Sequence, residues 1–281
     1  MATSRPDVVE VDEHWRTWQA ALGEGGLVSY RYLGCSSVAL TRDTAEGGMH
    51  LRSDLRTAGG LLAAPLGIAL LDTAGINVDA IAQCAPTQID VTVFGPARDV
   101  EAVRIFGEIV REGRSQMFTR SRYEDAARPG RVIGFGTTSW AVAQPTPPGF
   151  IYVDPGPGVS EAPDLPPLVE AFDAVPRADG DGYELAGLSA RVGGASLHQG
   201  PIQVMLEAAA LDAAREAAGT DAIYAEHTGT TIVQRGKTGP FVATASVLSN
   251  DDGVLSCLGE LRDDGEGGRV VATGFSLYRR A

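Results

Sequence analysis

Apolar and polar positions follow the same order of patterns twice along the 281 residues of the chain. Each half begins with a short amphipathic segment, since Trp15, Trp18 and Leu22 lie at helical spacing in HWRTWQAAL and LVEAFDAV is similar. A β-like run follows, VSYRYLGCSSVALT in one half and GYELAGLSARVGG in the other. A long helix rich in strong helix formers comes next, GGLLAAPLGIALLDTAGI or HQGPIQVMLEAAALDAAREAAG. The pattern therefore predicts one α+β unit written twice.

Each half closes with strand-like segments separated by Gly- and Asp-rich turns. These are PTQIDVTVFGPA, VEAVRIFGEIVREG, SQMFTRSRYED and GRVIGFGTTSWAVA in the first half, and HTGTTIVQRGK, FVATASVLSND, VLSCLGELRDD and GRVVATGFSLYRR in the second. A helix that is apolar nearly all round must be wrapped, and an antiparallel sheet curled about it does this. Two such units can pair their sheets edge to edge, which covers one exposed edge of each. The alternative is two unrelated α+β domains.

The division between the halves is marked by proline. Nine of the 16 prolines lie between Pro145 and Pro176, a density that breaks regular structure and indicates a linker with a short helix around Leu168–Val175. The predicted organisation has an N-terminal helical segment, a first domain, a Pro-rich linker with a short helix and a second domain, at 1–26, 27–144, 145–182 and 183–281 respectively.

The formal net charge of −13 narrows the classes of partner. An acidic surface repels nucleic acid and anionic lipid, so neither is expected to bind. The most apolar stretch, Gly59 to Val78, is long enough for a membrane span, but it contains Asp72 and reads better as a core helix.

The cysteines and the N-terminus indicate a cytoplasmic protein. Cys35, Cys84 and Cys257 are odd in number, far apart and without a CxxC pair, as expected of reduced thiols rather than a disulfide frame or a zinc site. The N-terminal sequence has no basic region followed by an apolar core, so we expect no signal peptide. No metal site is predicted.

Two segments of the first half and one of the second resemble a known family. LLDTAG at 70–75 followed by PTQIDVTVFGPA at 86–97, and HQGPIQVMLEAAA at 198–210, are similar to the turn, helix and strand of hot-dog-fold acyl-CoA thioesterases of the phenylacetyl-CoA and hydroxybenzoyl-CoA type. The resemblance spans about 27–143 and 183–280. It implies two hot-dog folds in tandem that pair as a pseudo-dimer and hydrolyse a fatty- or aryl-acyl-CoA thioester, with CoA as part of the substrate and no separate cofactor. Hot-dog units commonly assemble, so a homodimer of the fused pair is a further expectation.

The residues of the second half suggest how such a reaction would proceed. If Gly200 begins the helix, its amide is one of the unpaired N–H groups at the positive end of the helix dipole, and Pro201 suits the first turn. A thioester oxygen placed there would be polarised. Glu207, seven positions beyond Gly200, lies in an otherwise apolar stretch and is the candidate general base or nucleophile. A solvated or structural carboxylate is the alternative interpretation. His198 either binds substrate or shapes the turn.

The first half departs from this pattern. One register pairs Asp72 with Glu207 at an offset of 135 (207 − 72), which makes Asp72 a possible second carboxylate but places Pro65, which has no amide hydrogen, opposite Gly200. A second register, with an offset of 140, pairs Gly60 with Gly200 and leaves no carboxylate opposite Glu207. Both registers predict two unequal sites.

Further site residues follow from the resemblance. In the family the sites lie between partners, so Thr87 and Gln88 of the first half are candidates for orienting a water or the thioester. The phosphates of CoA require cations. Five basic residues near turns are candidates for binding them: Arg98, Arg111, Arg114, Arg235 and Lys237.

Two other functions compete with hydrolysis. A non-catalytic acyl-CoA or acyl-carrier-binding protein is favoured by the irregular first half. An enoyl-thioester hydratase is less well supported, because Asp212 and His227 do not have the spacing of its paired Asp and His. The sequence contains no GxGxxG or Walker loop, no HExxH and no GxSxG.

Overall fold

The computed structural model describes residues 27–146 and 158–281. The predicted N-terminal helical segment, with Trp15 and Trp18, and part of the linker lie outside the described residues. The architecture is α+β, as predicted: one large antiparallel sheet carries two long helices. The helices of the described part are α1 (Val28–Arg31), α2 (Ala64–Ile81), α3 (Leu168–Ala171) and α4 (Gln199–Ala218).

All the strand-like segments predicted after each long helix form strands. In the first half the strands are β1 (Ser36–Ala39), β2 (Thr44–His50), β3 (Ala82–Val93), β4 (Ala102–Glu112), β5 (Gln116–Asp125) and β6 (Val132–Pro145). In the remainder they are β7 (Val175–Pro176), β8 (Tyr183–Leu185), β9 (Ile223–Ile232), β10 (Phe241–Asp251), β11 (Val254–Asp263) and β12 (Arg269–Arg280).

The twelve strands of the described ranges form one sheet in the order β1-β2-β4-β5-β6-β3-β9-β12-β11-β10-β8-β7. The first six come from the first half of the chain and the last six from the remainder. The two groups meet where β3 pairs antiparallel with β9, from Gln88↔Thr231 to Thr92↔His227. This pairing leaves neither β3 nor β9 as an unpaired edge.

The two long helices lie on one face of the sheet and form its core. α2 packs on β2, β3 and β4, and α4 packs on β10, β11 and β12. They also touch each other, and a Cβ at Gly67 of α2 would lie 2.1 Å from Oε1 of Gln203 of α4. Gly67 therefore lets the helices approach closely enough for a side chain of one to reach the backbone of the other.

The β-like run predicted before each long helix is only partly correct. In the first half, Val28–Arg31 is a turn of helix and the strand begins at Ser36. In the second half only Tyr183–Leu185 is a strand, and the rest of GYELAGLSARVGG forms turns. Glycine-rich turns can hold the chain against the core without a ladder, which periodicity alone does not reveal.

The linker contains the predicted short helix, but it ends earlier than predicted. The helix covers Leu168–Ala171, and Asp173 adopts a left-handed backbone conformation with φ of 64° that ends it. The chain then forms β7 and β8 at the sheet edge, so the end of the predicted linker belongs to the sheet.

The most apolar helix, α2, is part of the protein core. Ala64–Ile81 is long and apolar enough to cross a membrane, yet 78% of it is buried within the protein. Its neighbours are the strands of the first half and helix α4. Burial against these elements accounts for its apolar composition.

Candidate functional site

The carboxylate of Glu207 lies at the N-terminus of helix α2, between the two halves of the chain. Its Oε1 accepts a hydrogen bond from the backbone N–H of Ala63 at 2.6 Å, and its Oε2 accepts one from Ala64 at 2.7 Å. The side chain is buried, with 5% of the residue exposed. Spacing along the chain predicts that Glu207 acts with Gly200 of its own helix. In the structure Glu207 is bonded instead to the helix terminus of the other half.

Pro65 lies opposite Gly200 and has no amide hydrogen, as the 135 register predicts, but the two residues before it supply amide donors. Ala63 is the N-cap of α2 and Ala64 its first residue, so both N–H groups belong to the unpaired donors of the helix start. Pro65 follows them at the second position, where its missing N–H removes nothing that Glu207 uses. The helices begin at Ala64 and Gln199, an offset of 135 (199 − 64), which supports the register that pairs Asp72 with Glu207.

Two opposing effects set the protonation of Glu207. Burial disfavours the charged form and raises its pKa, while the hydrogen bonds from Ala63 and Ala64 lower it; the result is a pKa raised from 4.5 to about 7. A carboxylate with a pKa near neutrality can both accept and return a proton at physiological pH. The positive end of the α2 dipole faces the same point. Glu207 and the α2 terminus can therefore stabilise a negatively charged oxygen and transfer a proton at the same point.

The backbone around this point is held from both halves. The hydroxyl of Thr57 accepts hydrogen bonds from the amides of Gly59 and Gly60, both at 3.0 Å, and donates to the carbonyl of Ile223 at 2.6 Å. A Cβ at Gly59 would lie 2.1 Å from the carbonyl oxygen of Ile223, so this turn requires glycine. Nε of Arg98 donates to the Gly59 carbonyl at 3.0 Å. The turn before α2 is thereby fixed against the start of β9.

Asp72, the counterpart of Glu207, has different contacts. It is buried, and its Oδ2 accepts a hydrogen bond from the Ser37 hydroxyl at 2.7 Å. Ser37 lies 3.3 Å from Thr73 Oγ1, and the Cys35 thiol lies 3.7 Å from each of these two hydroxyls. The second carboxylate is thus part of a hydroxyl-rich cluster of the first half, whereas Glu207 bonds backbone amides across the halves.

His198 and Gly200 lie at the other helix terminus, at the start of α4. His198 is the N-cap, and its Nδ1 lies 3.0 Å from Ser29 Oγ. The ring also meets Tyr30 edge to face, with centroids 5.4 Å apart. A Cβ at Gly200 would lie 2.0 Å from Ser29 Oγ, so the glycine makes room for that hydroxyl. Burial lowers the pKa of His198 to about 3, which leaves the ring uncharged at neutral pH.

A cavity of about 270 Å³ opens beside this second terminus. It is bounded by the end of α2, the start of β3, the turn before α4 and the end of β9. Its lining includes Asp79, His198, Gln199, Ile202 and Arg235. Glu207 is not among the residues that line this cavity, whereas His198 and Arg235, predicted to belong to the same site, are.

The hydrogen bonds of Thr87 and Gln88 are made to residues other than Glu207. The Thr87 hydroxyl donates to the carbonyl of Ser139 at 3.1 Å, next to an irregularity in the β3–β6 ladder. Gln88 is exposed and donates to Asp90 Oδ2 at 2.9 Å. Because its neighbour Ile89 is buried under the helices, Gln88 points to the opposite face of the sheet. These contacts give no support to the predicted role of either residue.

The five candidate cations are exposed and divide among three places. Arg98 follows β3, Arg235 and Lys237 follow β9, and the remaining pair, Arg111 and Arg114, lies at the β4–β5 turn. Arg98 is tied to the Gly59 turn beside Glu207, and Arg235 lines the cavity at the other terminus. Their contact with CoA remains a prediction.

A buried carboxylate shapes the loop that carries Lys237. Asp263 accepts hydrogen bonds from the amides of Lys237, Thr238 and Gly239 at 2.7, 3.1 and 2.8 Å. Burial on its own would raise the pKa of Asp263, but these amides outweigh it and lower the pKa. The β9–β10 loop is therefore held in one shape by a single side chain that composition and motifs do not reveal.

Asp263→Asn is expected to lower the free energy of unfolding by about 2 kcal/mol, because the amide nitrogen of asparagine cannot accept the bonds that one carboxylate oxygen accepts now. Urea denaturation at pH 7 measures the change. Asp252→Asn is the matched control, since Asp252 is exposed in the β10–β11 turn at φ of 51°, a conformation that asparagine also adopts. Equal stability of the two variants would contradict the assigned role of Asp263.

The described residues offer no centre for a metal. No group of three or more His, Cys, Asp or Glu side chains that could hold an ion occurs in the ranges 27–146 and 158–281. All three cysteines are free; Cys35 and Cys257 are buried and Cys84 is half-buried.

Comparison with known proteins gives a consistent fold. No protein-family model matches the sequence, and no curated protein matches it. Among solved structures, a tesB protein of Mycobacterium avium subsp. paratuberculosis is similar over 93% of this chain and 99% of its own, with a TM-score of 0.63 and 14% identity. Acyl-CoA thioesterase II TesB2 of Mycobacterium marinum is similar over 87% and 95%, with a TM-score of 0.55 and 16% identity. The chain has the hot-dog fold.

The same fold also occurs in a thioesterase whose name gives ACP, not CoA, as the carrier of the acyl group. The 12:0-ACP thioesterase of Umbellularia californica is similar over 85% of this chain and 94% of its own, with a TM-score of 0.53 and 12% identity. Such matches cover most of the chain, at 85% to 93% of its length. At these identities the shared feature is the fold.

Proposed function

We propose that the protein is an acyl-thioester hydrolase whose reaction centre is Glu207 together with the N-terminus of α2. The observation that carries this proposal is the buried Glu207 carboxylate, hydrogen-bonded to the amides of Ala63 and Ala64 of the other half. It combines a proton acceptor with a pKa near 7 and two backbone donors at a helix terminus. General acid–base catalysis and carbonyl polarisation need these two components at one point.

The two halves are inferred to be tandem hot-dog units that pair as a pseudo-dimer. The sheet order supports this, since the strands of each half continue outwards from the central β3–β9 pair. The equivalent starts of α2 and α4 support it as well. In such a pair each helix N-terminus faces the helix of the other half, which is the relation that Glu207 has to Ala63.

Hydrolysis at this centre begins when the thioester oxygen replaces one carboxylate oxygen of Glu207 as the hydrogen-bond acceptor of a backbone amide. The thioester oxygen takes the amide of Ala63 or Ala64, and the displaced carboxylate oxygen accepts a proton from water. That water adds to the acyl carbon, and the negative charge that develops on the oxygen is stabilised by the amide and the helix dipole. When the C–S bond breaks, the protonated Glu207 returns its proton to the leaving thiolate. Direct attack by Glu207, with water hydrolysing the resulting anhydride, uses the same groups.

The two helix termini are proposed to be functionally unequal. Glu207 serves the α2 terminus, while Asp72 accepts a hydrogen bond from the Ser37 hydroxyl and the Ser29–His198 side-chain contact lies at the α4 terminus. Asp72, His198 and Gly200 therefore have weaker support as reacting groups than Glu207. The arrangement agrees with the unequal pair expected from the sequence.

CoA is the proposed carrier of the acyl group. Acyl-CoA and acyl-ACP thioesterases both occur among the proteins of similar fold. Arg98 is the cation best placed for a phosphate of the substrate, because it is bonded to the turn that precedes Ala63 and Ala64. A cytoplasmic location and a homodimer of the fused pair belong to the same proposal.

A non-catalytic acyl-CoA-binding protein is the second candidate. The observation that favours it is that Glu207 already satisfies both amides of the α2 terminus, at 2.6 and 2.7 Å. If the carboxylate did not release an amide, a thioester would bind elsewhere and remain intact. The two candidates therefore differ in turnover, not in fold.

A panel of acyl-CoAs with a thiol-detecting reagent separates the two candidates. Hydrolysis of at least one straight-chain or aryl-acyl-CoA, with release of free CoA, is the expected result. Equilibrium binding of the same compounds is measured in parallel by calorimetry. Binding without release of CoA from any acyl group would reject the hydrolase and support the binding protein.

A further inference from the structure

Asp79 lines the cavity beside the α4 terminus, and the proposed hydrolysis makes no use of its carboxyl group. The residue lies in the last turn of α2 and is half-buried. Among the described residues, none donates a hydrogen bond to this carboxyl group. Its main-chain carbonyl, by contrast, accepts a hydrogen bond from the Thr146 hydroxyl. A desolvated carboxyl without a partner is unfavourable, and native structures normally pair such groups.

The charges around Asp79 do not compensate for its burial. Burial raises the pKa of Asp79 to about 7, and repulsion from Asp72 adds to the increase. His198, which also lines the cavity, is uncharged at neutral pH because burial lowers its pKa. Arg235 lines the cavity but is exposed. Among the described residues that line the cavity, Asp79 is therefore the acidic group that burial keeps from ionising fully, and the basic Arg235 is exposed to solvent.

The apolar part of the cavity lining comes from Cys84, Ala85 and Pro86 of β3 together with Ile202 of α4 and Ile232 of β9. Its polar part includes Gln83, whose side-chain amide nitrogen is buried without a hydrogen-bond partner, and Gln199. A volume of about 270 Å³ is near the lower end of the range for small-molecule pockets. The space suits a short apolar chain or a single ring and is too small for a nucleotide.

The geometry points to a binding site for a small organic monoamine, with its ammonium group at Asp79 and its apolar part against Pro86, Ile202 and Ile232. An ammonium group supplies the hydrogen bonds and the positive charge that the Asp79 carboxylate lacks. The exposed Arg235 disfavours a second positive group on the ligand, so a diamine fits less well than a monoamine. This inference goes beyond the proposed hydrolysis, which takes place at the other helix terminus.

Butylammonium, 1-butanol and butyrate are the probes, because they share size and shape but differ in charge. Binding is followed by chemical-shift changes in two-dimensional ¹H–¹⁵N NMR spectra of the full chain. Butylammonium is expected to bind at least about fivefold more tightly than 1-butanol, and butyrate more weakly than either. The largest shifts are expected at Ala85, Ile202 and Ile232.

Variants locate the effect. Asp79→Asn keeps the shape and removes the charge, so it should abolish the preference for butylammonium over 1-butanol. Asp252→Asn removes one exposed charge that is not part of the cavity lining and should leave the preference for butylammonium intact. This variant controls for non-specific attraction of the cation to the acidic protein. Ala85→Phe fills the cavity without changing its charge and should abolish the binding of both probes.

Three outcomes would overturn the inference. Equal affinity of wild-type protein for butylammonium and 1-butanol would show that Asp79 does not select a cation. An unchanged preference in Asp79→Asn would place the amine elsewhere. Undiminished butylammonium binding in Ala85→Phe would show that this cavity is not the site, and it decides the question even if Asp79→Asn does not fold.

Discussion

Glu207→Gln is expected to lower kcat for acyl-CoA hydrolysis by about 10²–10⁴-fold, the usual contribution of a general base. Glutamine keeps the length of the side chain and can still accept one of the amides of Ala63 and Ala64, but it cannot take a proton from water. KM should change much less than kcat, because the proposed role of the carboxylate lies in the reaction and not in holding the substrate. Steady-state release of free CoA measures both parameters.

The control for this variant comes from the same helix. Glu216 is exposed in the last turns of α4, so Glu216→Gln removes an identical charge without touching the α2 terminus. It should retain wild-type kcat, and circular dichroism spectra of both variants should match that of the parent. Full activity of Glu207→Gln would remove Glu207 from the mechanism. A rise in KM at constant kcat would instead mark it as a binding group.

The sequence predicted the long elements well because their patterns are local. The apolar helix that became Ala64–Ile81 and the helix that became Gln199–Ala218 are specified by composition over many residues, and the strands after them by alternation. The short pieces were predicted less well. The conformations of Val28–Arg31 and of the turns after Leu185 depend on how these segments pack over the core. A local apolar–polar pattern does not predict that packing.

The candidate site shows the limit of arguments from spacing. The unusual position of Glu207 in an apolar helix identified it, but spacing could relate it only to residues of its own helix, such as Gly200. Its observed partners, Ala63 and Ala64, are backbone amides, and an alanine gives no sign in the sequence that its N–H is available. The register with an offset of 135 aligns them with His198 and Gln199, but in that register the residue opposite Gly200 is Pro65, which has no amide hydrogen.

The same limit explains Gln88 and Asp79. Gln88 follows an irregularity in the β3–β6 ladder. This irregularity and the alternation of the strand together decide which face of the sheet the side chain of Gln88 occupies. An apolar–polar pattern in the sequence does not reveal such an irregularity. Asp79 looks like an ordinary polar residue at the end of a helix. Its importance comes only from the turn at Gly193–Gly194 and the end of β9, which close a cavity around it. Long-range packing, not local sequence, defines both environments.

The free energy of unfolding is expected to fall as pH rises through the range in which Glu207 loses its proton. The pKa of Glu207 is raised from 4.5 to about 7 in the folded protein, so between these values the folded state holds a proton that the unfolded state releases. The stabilisation is complete below pH 4.5 and is lost by about pH 7. A shift of this size corresponds to about 3 kcal/mol, since one pKa unit is about 1.4 kcal/mol.

Other buried groups titrate in the same range, so the measurement is a difference. Asp79, whose pKa is also raised to about 7, adds to the loss of stability with rising pH, whereas His198, whose pKa is lowered to about 3, acts in the opposite direction below its ordinary value of 6.5. Urea denaturation of the parent and of Glu207→Gln from pH 4.5 to 8 cancels both contributions. The parent should lose about 3 kcal/mol relative to the variant across this range. Parallel curves would mean that Glu207 is ionised throughout, and a carboxylate of ordinary pKa would be too weak a base for the proposed proton transfer.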